Sequence, residues 1–90
     1  MDIALTSAGK LMHQWPQQSW YGESPEIMQT SRFAGQEMIA IQKSDDEPEI
    51  YELHYMGFAV SGFVGIVAAK DKAPAFAKKV LINLSEQILE

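Results

Sequence analysis

The sequence predicts a two-layer α+β domain, in which a three-stranded antiparallel sheet packs on a C-terminal helix and an N-terminal helix lies alongside. Apolar residues recur at helical spacing from Asp71 to Glu90, whereas between residues 36 and 69 they alternate or run on as they do in strands. A second helical pattern opens the chain, so the predicted order is helix, short helix, three strands, helix. Ninety residues suit a single domain with one core.

The first predicted helix runs from Asp2, its N-cap, to about Gln14, and Pro16 ends it because a residue before proline is pushed out of helical geometry. A polar loop then covers residues 13–24. Ser24-Pro25-Glu26 has the composition of a helix start and favours a short helix over Pro25–Arg32. A strand through Ile27–Phe33 is the alternative.

The sheet is predicted from three segments. Residues 36–43 have β character, residues 43–48 form an acidic turn, and from Glu49 to Tyr55 apolar and polar residues alternate. Ser61-Gly62 suits a two-residue hairpin turn, with a wider loop over residues 57–62 as the rival. Phe63–Ala69, apolar at nearly every position, is predicted to be a covered strand.

The last helix, capped by Asp71, carries two apolar stripes. The broad stripe is predicted to pack on the sheet, whereas Ala75, Ile82 and Leu89 lie seven residues apart on nearly the opposite side. A second stripe needs a second partner, so we expect a homo-oligomer, most simply a dimer. The predicted core comprises Leu5, Leu11, Met12, Ile39, Ile41, Tyr51, Leu53, Tyr55, Val64, Ile66, Phe76, Val80, Leu84 and Ile88.

The net charge of −5 is concentrated in residues 44–53, which hold five acids and no base. The acidic patch of Asp45, Asp46, Glu47 and Glu49 favours a basic protein partner, and the acidic chain disfavours nucleic acid. No apolar run is long enough to span a bilayer, and no secretory signal precedes the domain, so the expected compartment is the cytoplasm.

The predicted order of helix, three strands and helix resembles that of double-stranded-RNA-binding domains, which place lysines at the start of the final helix. Here Lys78 and Lys79 lie inside the helix, beside Ile82. The resemblance is therefore one of topology, and nucleic-acid binding is not predicted.

Two residue groups have the chemistry of a ligand site. Trp15, Trp20 and Tyr21 sit among glutamines and serine, a composition typical of carbohydrate or peptide platforms, although such rings more often close a small core. Glu52 and His54 share one face of a strand and could meet one metal ion or one substrate proton, although a solvated polar face is the more common arrangement. A metal site would need at least one more ligand, and no residue at a suitable spacing supplies it, so no metal or cofactor is predicted.

Three functions are consistent with these patterns. The first is a non-enzymatic, self-associating interaction protein, similar by analogy to inhibitors, antitoxins or accessory proteins of mobile elements. The second is a small-ligand binder that uses the loop of residues 13–24, which carries the aromatic rings, and the face of the predicted hairpin. The third is an enzyme centred on Glu52 and His54, which is the least favoured because no nucleophile motif or phosphate-binding glycine loop is present.

Overall fold

A computed structural model describes residues 3–5, 16–24 and 26–89 of the chain. Its elements are β1 (Met28–Phe33), β2 (Gln36–Gln42), β3 (Ile50–Tyr55), β4 (Phe58–Val64) and α1 (Ile66–Ser85). The four strands form one antiparallel sheet in chain order, and α1 packs across one of its faces. The predicted α+β class and the antiparallel sheet on a C-terminal helix are confirmed, but the sheet has four strands rather than three.

The additional strand is β1, so the predicted short helix over Pro25–Arg32 is wrong and the alternative strand is right. Gln29, Ser31 and Phe33 alternate into the interior along β1. The strand pairs with β2 over its whole length, from Met28 to Phe33. A ladder of backbone hydrogen bonds and a buried face outweigh the local helix-start signal of a serine and a proline.

Two of the three hairpin connections, β1–β2 and β3–β4, are two-residue turns with positive φ at both positions. Between β1 and β2 the φ angles are 52° at Ala34 and 77° at Gly35, and between β3 and β4 they are 49° at Met56 and 84° at Gly57. This is the backbone of a type I′ turn, whose twist matches that of paired strands. The predicted turn at residues 61–62 is therefore wrong.

Residues 61–62 instead lie inside β4, where the strand carries one residue more than its partner opposite Glu52. Gly62 has a φ of 96°, which a bulge accepts from glycine at little cost. The predicted strand Phe63–Ala69 is also wrong, since β4 ends at Val64 and α1 begins at Ile66.

The start of α1 explains that error. Ile66, Ala69 and Ala73 are three and four residues apart, so the apolar run continues the buried stripe of the helix upstream of Asp71. Asp71 is not the N-cap. Gly65 holds that position without a side-chain capping hydrogen bond.

The core lies between α1 and the facing side of the sheet. Four predicted members are buried there, Tyr51, Leu53, Tyr55 and Val80, and three more pack half-buried against them, Ile66, Phe76 and Leu84. The prediction omitted Phe33, Met38, Ala40, Ala69, Ala73 and Ala77, which are also buried.

Several predicted core residues lie elsewhere. Ile39 and Ile41 are on the opposite face of the sheet from α1, because their neighbours Met38 and Ala40 take the interior positions. Val64, Ile88 and Leu5 are exposed. Leu11 and Met12, with most of the predicted N-terminal helix, lie outside the described residues, and residues 3–5 carry no helix.

Candidate functional site

The edge of the sheet at β1 is covered by the chain's own residues 16–21, which we call the covering segment. The backbone N–H of Gln18 donates to the carbonyl of Arg32, and Tyr21 and Thr30 exchange two backbone hydrogen bonds of 2.8 and 3.0 Å. The side-chain carbonyl of Gln17 accepts from the N–H of Gly35 at 2.9 Å. These bonds occupy backbone groups that a further strand at this edge would need.

The opposite edge, at β4, pairs only with β3 among the described residues. In a two-residue hairpin the residues flanking the turn bond to each other, so the backbone groups of Phe58 point at β3 and those of Ala59 point away. The β1 hairpin follows the same rule: Phe33 flanks its turn, and the carbonyl of Arg32, one residue further, points outward to Gln18. Ala59 thus directs its N–H and its carbonyl away from β3, and neither group has a hydrogen-bond partner among the described residues.

The bulge at residues 61–62 limits how far this free edge extends. Phe58, Ala59 and Val60 keep a regular register with β3, whereas the strand bends at the bulge. A bulge in an edge strand is a common protection against uncontrolled pairing with other chains. The pairing surface is therefore a short one, centred on Ala59.

Beside this edge an apolar depression of about 250 Å³ lies between β4 and α1. We call it the β4 groove, and it is lined by Phe58, Val60, Phe76, Lys79, Val80 and Asn83. The ring of Phe76 stands edge-on to that of Tyr55 with centroids 6.5 Å apart, which fixes the floor of the groove on the core. Burial raises the pKa of Tyr55, and its hydroxyl donates to the carbonyl of Phe33.

The rim of the β4 groove is basic. Lys79 lines it and is exposed, and Lys72 lies two helical turns earlier on the same side of α1. Neither lysine forms an ion pair with another described residue. Asn83 adds an amide, which donates and accepts hydrogen bonds, at the end of the groove.

Glu52 and His54 are brought together on the face of the sheet opposite α1. His54 Nε2 lies 3.3 Å from Glu52 Oε1, and the two side chains are 48% and 27% exposed. They border a shallow depression with Met28, Ile39 and Ile41. No group of three or more potential metal-ligating side chains occurs among the residues that the structure describes.

The aromatic residues of the predicted ligand platform separate. Trp20 packs on Phe33 at 6.0 Å between ring centroids and lies under the ammonium of Lys70, on the α1 side of the sheet. Tyr21 stacks with the guanidinium of Arg32 at 5.5 Å, on the other face. Trp20 therefore helps to close the core, and the two rings form no common surface. Trp15 lies outside the described residues.

The acidic patch lies in the loop between β2 and β3. Asp45, Asp46, Glu47 and Glu49 are all exposed. The loop is compact, since the N–H of Glu47 donates to Ser44 Oγ at 3.2 Å, and Glu47 also meets Lys43 Nζ at 3.6 Å. Glu49 adjoins the end of β4, since its carbonyl accepts from the N–H of Gly65 at 2.7 Å, whereas the β4 groove lies beside Phe58 and Val60 at the start of that strand.

The second stripe of α1 lies on the side away from the sheet. Ala75 is exposed, Ile82 is 59% exposed and Leu89, beyond the last helical residue, is 89% exposed. None of the three belongs to the core or to the apolar residues packed against it. The stripe is available to a partner as far as the described residues show.

Sequence reasoning missed the β4 groove. Phe58 and Val60 alternate directly after Met56-Gly57, which is the signal of a hairpin strand, but placing the turn at residues 61–62 concealed it. The groove also depends on Phe76 and Lys79, which only the packing of α1 brings next to β4.

Comparison with known protein families, with curated proteins and with solved structures finds no match to this chain. Among the described residues, no helix combines the length and the apolar character needed to cross a membrane.

Proposed function

We propose that this protein is a non-enzymatic interaction protein that binds an extended segment of a partner at the β4 edge and the β4 groove. The observation that carries the proposal is the difference between the two sheet edges: the covering segment occupies one, whereas none of the described residues covers the other, which lies beside an apolar depression. Strand addition uses these two features, because the edge supplies backbone hydrogen bonds and the groove receives alternate side chains.

The chemistry of the groove specifies the partner segment. Apolar side chains at alternate positions would pack against Phe58, Val60 and Phe76, while a carboxylate near one end would meet Lys79. A segment of about four residues matches the regular part of the edge. Such a small contact buries little surface, so the expected affinity is modest, with a Kd of about 10–1,000 µM.

Selection from a displayed library of random decapeptides tests the proposal. The library is selected on the wild-type protein and counter-selected on Ala59→Pro, which removes the outward N–H without breaking a bond to β3. We expect enriched peptides to alternate apolar residues and to carry aspartate or glutamate. Ala59→Thr is the matched control, because it keeps the N–H and a strand-favouring side chain.

Substitutions of two neighbouring lysines, Lys78 and Lys79, distinguish binding at the β4 groove from binding elsewhere on α1. Lys79→Glu should weaken an enriched acidic peptide by about tenfold or more, because one attractive contact becomes repulsive. Lys78→Glu makes the same charge change on another side of the helix and should leave binding within about twofold. If no peptide is enriched over the Ala59→Pro variant, or if Lys78→Glu weakens binding as much as Lys79→Glu, the proposal is wrong.

The other functions predicted from the sequence are not tested by the structure and stay predictions. The contact between Glu52 and His54 is open to solvent and lies on the far face of the sheet from the groove. Recognition of a basic partner through Asp45, Asp46, Glu47 and Glu49 stays a prediction, as does self-association, which the next subsection develops.

A further inference from the structure

The exposed side of α1 carries a self-complementary pattern, which we call the back stripe and define by Val67, Asp71, Ala75, Lys78 and Ile82. Wound at 100° per residue, all five fall within an arc of about 80° that points away from the sheet. All five are exposed, with Val67 at 77% and Ile82 at 59%. They extend over about four turns, or roughly 22 Å, of the helix.

From either end of the stripe the order of residue types is the same: an apolar residue, a charged residue and then alanine, with opposite charges at the two ends. Val67 and Asp71 are four residues apart, as are Lys78 and Ile82, and Ala75 lies near the middle. When two such helices lie antiparallel about a two-fold axis near residues 74–75, Val67 of each copy faces Ile82 of the other, and Asp71 faces Lys78. The apolar contact and the ion pair therefore each occur twice, as in an isologous interface.

From this complementarity of charge and apolar surface we infer that a second copy of this chain binds the back stripe in antiparallel orientation. The small side chain of Ala75 lets the helices approach closely at their centre. Within the single chain neither Asp71 nor Lys78 has an ion-pair partner among the described residues. The opposite charges determine the register, and Val67 and Ile82 supply the apolar burial.

The size of the contact sets the expected affinity. One helix pair of about four turns buries less than the roughly 1,200 Å² of standard interfaces, which places it with weak, reversible complexes. We therefore expect a monomer–dimer equilibrium with a Kd of about 10–500 µM. This inference is independent of peptide binding at the β4 groove, which lies on another side of α1.

Sedimentation equilibrium of the full chain between about 10 µM and 1 mM tests the inference. Wild type should dimerise. Asp71→Lys and Lys78→Asp should each raise the Kd by about tenfold or more, because each creates two like-charge contacts. A mixture of the two variants should associate again, since every contact then joins opposite charges, and the double variant Asp71→Lys/Lys78→Asp should recover wild-type affinity.

Two controls and two contrary results complete the test. Lys79→Glu, next to the stripe, should dimerise as wild type does, and thermal unfolding of each variant checks that the domain folds. A chain that stays monomeric at 1 mM overturns the inference, and then residues of the chain itself or another protein cover the stripe. Retained dimerisation of Asp71→Lys with loss in Glu86→Lys also overturns it, because that result places Ile82 on the two-fold axis and pairs Lys78 with Glu86.

Discussion

The two edge strands of the sheet, β1 and β4, differ in whether described residues cover them, although each adjoins the same kind of two-residue turn. At β1 the covering segment bonds to both outward backbone groups of Thr30 and to the carbonyl of Arg32. At β4 the equivalent groups of Ala59 have no described partner strand, and a bulge at residues 61–62 shortens the accessible part. A short edge, centred on Ala59 and not covered by any described residue, is suited to one specific partner rather than to indiscriminate pairing.

The covered edge also contributes to the stability of the domain. Trp20, in the covering segment, packs on Phe33 and lies beneath Lys70, so the segment closes one end of the core as well as the sheet. Tyr55 connects the centre of the sheet to the β1 edge, because its hydroxyl in β3 donates to the carbonyl of Phe33 in β1. The β1 edge therefore contributes to stability, whereas the proposed recognition uses the β4 edge.

A pair of proline substitutions gives the largest expected contrast. Thr30→Pro removes the N–H that donates to Tyr21 and leaves that carbonyl unpaired, so it should lower the free energy of unfolding by about 2–3 kcal/mol. Ala59→Pro removes an N–H that points away from β3 and has no partner among the described residues, so it should cost less than about 1 kcal/mol. Urea denaturation followed by tryptophan fluorescence measures both. Equal losses in the two variants would show that the edges do not differ.

Substitution of Tyr55 has a smaller effect, and one that depends on pH. Tyr55→Phe leaves the carbonyl of Phe33 without its donor and should cost about 1–2 kcal/mol at pH 7. Because burial raises the pKa of Tyr55, the neutral phenol stabilises the fold fully below the unfolded pKa of about 10, and this contribution is lost as pH rises through the folded pKa.

Unfolding curves between pH 8 and pH 12 check this dependence. Wild type should lose stability in the alkaline range more steeply than Tyr55→Phe, while Tyr21→Phe, at an exposed ring, should follow wild type. Parallel curves for wild type and Tyr55→Phe would mean that the phenol does not titrate differently in the folded and unfolded chains.

The sequence predicted those parts of the fold in which pattern and environment agree. In β3, polar residues separate Tyr51, Leu53 and Tyr55, so alternation alone assigns the buried face. In α1 the spacing of Phe76, Val80 and Leu84, all of which belong to or pack against the core, does the same.

The predictions failed where the local pattern was ambiguous. Met38, Ile39, Ala40 and Ile41 are all apolar, so only the turn before β2 decides which pair is buried. Met56-Gly57 and Ser61-Gly62 both suit a two-residue hairpin turn, so the sequence does not decide between them. The apolar run at residues 66–69 suits a buried strand and a buried helical turn equally well.

The candidate sites differ in the same way. The stripe of Ala75, Ile82 and Leu89 was predicted because the three residues recur at helical spacing, and the structure leaves all three exposed, although Leu89 lies beyond the end of α1. The β4 groove joins Phe58 to Lys79 across two elements, and no local pattern contains that juxtaposition. The grouping of Trp20 with Tyr21 followed from adjacency in sequence, whereas neighbouring residues of an extended segment point to opposite faces.

Amide hydrogen exchange on the monomeric protein tests the difference between the edges most directly. At low micromolar concentration the amide of Thr30 should be protected by its bond to Tyr21, while the amide of Ala59 should exchange close to the rate of an unstructured peptide. Val60, whose backbone groups face β3, is the matched protected residue on the same strand. Protection of Ala59 equal to that of Val60, or unprotected exchange at Thr30, would contradict the account.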